Sequence, residues 1–287
     1  LEAIMSATAQ TAEIDIRPLW DGFGMEVLGV DLATADAATQ DRVIDVFHRH
    51  GAMVVRDQKL TPEQQLAFTR RFGEPEGNPS TEFTFPGHPE IYVISNKVED
   101  GRAIGNWRAG QGWHTDASYR ECPTMCTMLY AVEVPGEGSD TLLADLCAAY
   151  DALTDAEKEA YDDLKIVHSF RALREMQGGA SPYGEEDIED VVHPMIRRHP
   201  VDGRKALWVS TGTVRGVVGM PNPEGLELIE RLVKFAVQPR FVHAHKWRVG
   251  DLLIWDNRCT LHSGTPFDLG KYSRLVYRTW VKGDRPV

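Results

Sequence analysis

Three side chains that the sequence holds far apart set the tightest constraint on how this chain folds. His114 and Asp116 lie in Trp113-His114-Thr115-Asp116, and His262 closes Trp255-Asp256-Asn257-Arg258-Cys259-Thr260-Leu261-His262, 148 positions after His114. Two imidazoles and one carboxylate form a facial metal triad with open positions opposite, the set used for non-haem Fe(II). The same ligand types also suit zinc with one open site, as in a hydrolase. On a strand, residues i and i+2 project to one side, so His114 and Asp116 are expected to grip one metal together. The fold must then return the later segment beside the earlier one. A bare His-x-Asp arises often by chance, and the flanking contexts give this one its weight. His243-Ala244-His245 is a rival same-face pair, but no carboxylate sits at matching spacing. A structural strand is the expected reading there.

The remaining features bound the class. With 42% apolar residues in 287, a sizeable core can be buried, and nothing forces a division of the chain. One domain over residues 5–287 is expected, with Leu1 to Ile4, ahead of Met5, set aside as an expression remnant. A formal net charge of −12 argues against nucleic-acid and anionic-membrane partners, although a local basic pocket stays possible. No apolar run approaches membrane-spanning length and no secretory leader is visible. Cys122, Cys126, Cys147 and Cys259 make no paired Cys-x-x-Cys units, and reduced thiols in a cytoplasmic protein are expected.

Periodicity predicts a helix from Asp36 to His50, ended by Gly51, then a buried strand at Ala52-Val55. Thr61-Pro62-Glu63-Gln64 is a capping box with proline at the first helical position, and Thr154 to Glu157 opens another capped helix. Strands are expected at Glu90–Ile94, Thr124–Val134, Ile166–Phe170, Pro194–Arg198, Ala206–Ser210, Phe241–Trp247, Asp251–Trp255 and Leu275–Val281. A helix from Pro223 to about Ala236 separates the last groups. The Gly-, acid- and Ser-rich stretch from Ala172 to Val192 reads as a long excursion of the lid type. The pattern is mainly β with flanking helices, a sandwich or jelly roll.

At this point the residues resemble a known family, the taurine/2,4-D (TauD/TfdA) family of Fe(II)- and 2-oxoglutarate-dependent dioxygenases. The resemblance runs from Gly29-Val30-Asp31-Leu32 to Gly283-Asp284. It rests on Trp113 to Asp116, Gly138-Ser139-Asp140-Thr141, Ala149 to Leu153, Gly250-Asp251 and Trp255 to Arg258 ahead of His262. It implies a double-stranded β-helix (jelly roll), with His114, Asp116 and His262 as iron ligands. It further implies Thr141 and Arg274 on the distal carboxylate of 2-oxoglutarate, and Arg278 on an acidic group of the substrate. A guanidinium fork suits a carboxylate, and Arg278, four residues after Arg274, is expected on the same strand face. Two departures stand out. Ser139 replaces the usual second glycine, and the interval from His262 to Arg274 is one residue longer than in the taurine enzymes, near Gly270-Lys271.

The implied reaction consumes O₂ and 2-oxoglutarate, releases succinate and CO₂, and hydroxylates a small anionic organic substrate, with cleavage where the carbon bears an ether or sulfonate. Trp255 to Cys259 and Ile94-Ser95-Asn96 look more like aryloxyalkanoate members; an alkylsulfonate, alkylsulfate or amino-acid-type substrate is the alternative. The substrate pocket is expected from Asn78–Thr84, Lys97–Gly112 and Ala172–Val192, with Lys97 and Arg108 as possible mouth residues or solvated loop. Asp140 and Asp256 are expected to order turns, and Trp113 and Trp255 to pack. Family members commonly form dimers or tetramers.

Overall fold

Strands whose every residue is buried need cover on both faces, and the central sheet has it. The computed structural model describes residues 14–78, 81–176 and 188–287. Its largest sheet has nine strands. Along its path come Asp15–Pro18, Met25–Leu28, Ala52–Val55, Leu252–Asp256, Cys126–Glu133, Leu275–Val281, His88–Ser95 and Thr84–Phe85. Pro75–Glu76 pairs alongside Leu275–Val281. All pairings are antiparallel except Met25–Leu28 with Ala52–Val55.

Alternation sorts the side chains. Leu252, Ile254, Met53, Val55, Cys126, Met128 and Tyr130 face the helices Ala37–His50 and Pro62–Phe72, meeting Val43, Val46, Phe47 and Phe68. Leu253, Trp255, Ala52, Val54, Leu129 and Val276 face inward, where they meet Leu143 of the second sheet. That sheet orders Val242–His245, Thr141–Asp145 and Thr260–Gly264, so two sheets enclose one interior as a jelly roll. A third sheet, with Lys165–His168 between Val191–Pro194 and Val214–Val217, packs with the helix Asn222–Ala236 into a further apolar cluster.

The helix ends follow their local chemistry. Asp36 accepts from the Thr39 amide, Gly51 turns the chain at φ 68°, and both predicted capping boxes form, at Thr61/Gln64 and Thr154/Glu157. Each cap contributes about 1 kcal/mol.

Several expectations need correction. The excursion predicted from Ala172 is helical at its start, Phe170–Met176, where Ser169 Oγ accepts from the Ala172 amide, and it ends in the strand Val191–Pro194. Residues 177–187 of that excursion, residues 79–80 and the leader Leu1 to Ile4 lie outside the described residues. The strand expected to reach Phe170 stops at His168, and Pro194–Arg198 divides between two strands. Among the described residues no helix is long and apolar enough to cross a membrane.

Candidate active site

The return of residue 262 to residue 114 is a matter of backbone pairing. His114 and His262 form an isolated antiparallel bridge with both hydrogen bonds made, N–H of 114 to the carbonyl of 262 at 3.0 Å and the reverse at 2.8 Å. His262 sits in the strand Thr260–Gly264. His114 has only this one bridge, and Asp116 opens a turn in which Ala117 takes φ 51°. The predicted strand around His114 is therefore a single bridge, though the i, i+2 approach survives.

The three side chains meet in the interior. His114 Nε2 is 3.7 Å from Asp116 Oδ1, His262 Nε2 is 3.6 Å from Asp116 Oδ2, and the two imidazole centroids are 4.1 Å apart. His114 Nδ1 lies 2.8 Å from the carbonyl of Gly112. A carbonyl only accepts, so Nδ1 carries the proton and Nε2 presents its lone pair. Burial, aided by the charge of His114, pushes the His262 imidazole down to about 3, so it is neutral at pH 7. Burial opposes ionisation of Asp116. The two imidazoles when protonated, the Arg278 charge and a hydrogen bond from Thr127 overcome it and hold the carboxyl below its ordinary range. All three ligand atoms lie within 4.8 Å of one another. Two imidazoles and a carboxylate fit a divalent transition metal.

A second cluster with ligand-type atoms, His199, Asp256 and Cys259, is already neutralised. Asp256 accepts from Arg258 through both oxygens and from His199 Nε2 at 3.1 Å, so it orders its turn and anchors a buried ion pair. His243 and His245 bring no carboxylate set; His245 Nε2 faces Asp251 at 3.1 Å, a structural contact.

Beside the triad lies a cavity lined by Thr141, Trp255, His262, Arg274 and Arg278, with Ala109 and Gly110 from the preceding loop. Arg278 lies in the strand Leu275–Val281 and Arg274 immediately before it, and despite the irregularity between Leu275 and Val276 both line this one cavity. The added residue near Gly270-Lys271 is taken up in a turn where Asp268 caps the Gly270 and Lys271 amides. Arg274 is buried, its Nε has no partner, and no described carboxylate pairs with it. Burial lowers its pKa to about 10, so it stays charged at neutral pH. Such a cation calls for an anion that the described residues do not supply. Thr141 Oγ accepts from Trp247 Nε1 at 3.2 Å, which leaves its own proton free to donate. Arg274 and Thr141 together fit a carboxylate. The Arg278 guanidinium lies 4.0 Å from the Trp280 ring centroid and 4.7 Å from that of Tyr92.

Some expected residues fall elsewhere. Lys97 pairs with Glu133 at 2.8 Å and Arg108 lies over Trp107; neither lines the cavity. Trp113 packs against the apolar cluster of the helix Asn222–Ala236, whereas Trp255 both packs and lines the cavity. Asn257 enters the sequence reading only within the motif ahead of His262, Trp247 only as a strand end, and Thr127 only inside a strand, none with a role at the site. Thr127 had one signal available, a hydroxyl at an inward-facing position of an apolar strand.

The chain is also similar to known proteins over nearly its whole length. The family model described as taurine catabolism dioxygenase TauD, TfdA family matches residues 15–280. The (S)-phenoxypropionate/alpha-ketoglutarate-dioxygenase of Sphingobium herbicidovorans is 32% identical, over 94% of this chain and 95% of the relative. The alpha-ketoglutarate-dependent 2,4-dichlorophenoxyacetate dioxygenase of Cupriavidus pinatubonensis is 35% identical, over 90% and 94%. The crystal structure of AAD-2 in complex with Mn(II) and N-oxalylglycine superposes with a TM-score of 0.80 at 33% identity, covering 96% of this chain and 99% of that one.

Proposed function

The chain belongs to the taurine catabolism dioxygenase TauD, TfdA family and is an alpha-ketoglutarate-dependent dioxygenase, and from that premise we propose that it uses Fe(II) and O₂ to oxidise a small aryloxyalkanoate acid. In this reading His114, Asp116 and His262 hold the iron, Thr141 and Arg274 hold the distal carboxylate of 2-oxoglutarate, and Arg278 takes the carboxylate of the substrate. The observation that carries the reading is Arg274, buried with no carboxylate partner among the described residues, in the cavity that also takes His262 and Thr141.

The chain's own groups bind and orient. Nε2 of each histidine and the Asp116 carboxylate supply three donors on one side, leaving the opposite side to ligands. Arg274 offers paired N–H donors and Thr141 one O–H, which together fix a carboxylate in place and direction. Arg278, its guanidinium held over Tyr92 and Trp280, offers a second anchor close to Asp116 and His262. Trp255 and Leu129 give that space an apolar wall suited to an aryl group. When bound, the iron and 2-oxoglutarate supply the oxidising chemistry that consumes O₂ and yields succinate, CO₂ and a hydroxylated substrate. Hydroxylation at a carbon bearing an ether oxygen gives a hemiacetal, which collapses with C–O cleavage.

Relatives named for phenoxypropionate and 2,4-dichlorophenoxyacetate support the aryloxy choice. We further read residues 5–287 as one domain, acting in the cytoplasm as a homodimer or homotetramer; the four free cysteines support a reducing compartment. The test is succinate release, with Fe(II) and 2-oxoglutarate, across aryloxyacids, alkylsulfonates, alkylsulfates and amino acids. Aryloxyacids are expected to lead. A faster sulfonate would move the substrate assignment, and no succinate with any acid would end it.

A further inference from the structure

Asp116 has two oxygens near the imidazoles, and the surrounding hydrogen bonds distinguish them. Oδ2 accepts from Thr127 Oγ1 at 2.5 Å. Thr127 is fully buried at the start of Cys126–Glu133, and its Oγ1 lies 2.9 Å from Asn257 Nδ2. Asn257 follows the strand Leu252–Asp256, whose Trp255 is paired opposite Thr127. The orientation of the Asn257 amide is determined by its neighbours. Its Oδ1 lies 3.2 Å from Trp255 Nε1 and 3.3 Å from the Asp116 amide, and both of those groups can only donate. Nδ2 must therefore face Thr127 and give it a proton. The Thr127 hydroxyl, with an acceptor site filled, has one proton to place, and Asp116 Oδ2 receives it.

We infer that Asn257 and Thr127 are positioning residues that make Asp116 a one-oxygen ligand. Their relay runs one way, Asn257 N–H to Thr127 O–H to Asp116 Oδ2. Each oxygen faces one imidazole, Oδ2 3.6 Å from His262 Nε2 and Oδ1 3.7 Å from His114 Nε2; the relay fills an acceptor site of Oδ2 alone and so favours Oδ1 as the oxygen for the metal. A carboxylate free to bind through both oxygens would take a second coordination position. Holding it to one keeps that position for the cosubstrate or O₂. The inference rests on the iron-ligand reading above, and partners of this kind commonly alter metal affinity by about 10–100-fold.

The test uses Co(II) binding to the apoprotein, read by titration and by the visible d–d spectrum, in wild type, Thr127→Val, Thr127→Ser and His114→Ala. Valine keeps the shape of threonine and removes the O–H. We expect Thr127→Val to bind Co(II) about 10–100-fold more weakly with a changed spectrum, and Thr127→Ser to restore both. Wild-type affinity and spectrum in a folded Thr127→Val would overturn the inference, as would failure of serine to restore them. Should the valine variant not fold, Thr127→Ala carries the same comparison. His114→Ala separates the two readings. If it keeps Co(II) affinity the ligand assignment fails, whereas if it loses affinity and Thr127→Val does not, only the relay fails.

Discussion

Arg258 and Arg274 are both buried cations of the same molecule, 16 positions apart, yet they are treated in opposite ways. Arg258 grips Asp256 through Nε and a terminal nitrogen, with His199 on the same carboxylate. Arg56 is likewise paired, with Glu26 at 2.6 Å and Asp251 at 2.7 Å. Among the described residues Arg274 has no carboxylate partner and its Nε none at all, while Arg278 makes no ion pair, lies over Tyr92 and Trp280 and reaches Asp116 only through its charge; both line the cavity. Desolvating a guanidinium costs several kcal/mol unless an anion offsets it. The paired arginines meet that cost within the chain and belong to the scaffold. The unpaired ones leave it to a ligand and mark the site.

The comparison breaks most readily at its scaffold side. Arg258→Met should lower stability by about 3–5 kcal/mol, because Asp256 stays buried with one partner lost; urea unfolding of the apoprotein reads it. The pKa of Asp256 is depressed, so the pair's contribution is full above the ordinary carboxylate range and falls away in acid. The variant's deficit should therefore shrink as pH drops through that range. A deficit that is absent at pH 7 would remove Arg258 from the scaffold class.

Arg274→Met should do the reverse. Apoprotein stability should hold or rise, while the 2-oxoglutarate requirement rises by about 1.5–3 kcal/mol, the worth of a charge-assisted hydrogen bond. Steady-state kinetics read this, and a shift in the primary-substrate KM alone would exchange the roles of Arg274 and Arg278.

His168 sharpens the rule, since an unpaired buried group need not mark a site. Both its ring nitrogens lack partners, it lines no described cavity, and burial holds its pKa down to about 3. Its unfolded-state pKa is about 6.5. The unfolded chain therefore takes up a proton first, and stability falls as pH drops from near 6.5 towards 3. His168→Leu should flatten part of that slope in apoprotein unfolding and leave the 2-oxoglutarate requirement alone; an unchanged slope would count against the neutral, unpaired state.

The smallest effect belongs to Ser139, a non-glycine residue at φ 59° with a buried, unpartnered hydroxyl. Ser139→Gly should relieve left-handed strain and stabilise the fold by up to about 1 kcal/mol after the glycine's greater unfolded-state freedom, read as a raised thermal midpoint. A raised 2-oxoglutarate requirement would instead place this hydroxyl among the ligand contacts.

Much of this was legible beforehand, for identifiable reasons. A two-residue spacing put His114 beside Asp116 even though only a single bridge forms there, and the four-residue spacing put Arg274, just ahead of its strand, and Arg278 on one cavity. The capping boxes at Thr61 and Thr154 were equally local. Thr127 was not, because a hydroxyl inside Cys126-Thr127-Met128-Leu129 acquires meaning only when Asn257 arrives from another strand. The helix Phe170–Met176 was hidden by the Gly- and acid-rich residues after it, which dilute a seven-residue pattern. Asp256 pairs with Arg258 two residues away, a local contact, whereas the lack of any acid beside Arg274 among the described residues is a fact about neighbours in space.

The bridge between His114 and His262 also orders events in time. A growing chain that has released His114 and Asp116 carries two neighbouring donors and no partner strand to hold them. The backbone hydrogen bonds that align them come from residue 262, late in synthesis. On the proposed ligand set, metal capture is therefore a closing step of maturation. A nascent or truncated chain ending before Thr260–Gly264 would lack the complete chelate, and with it the means to activate O₂ on an unfinished protein.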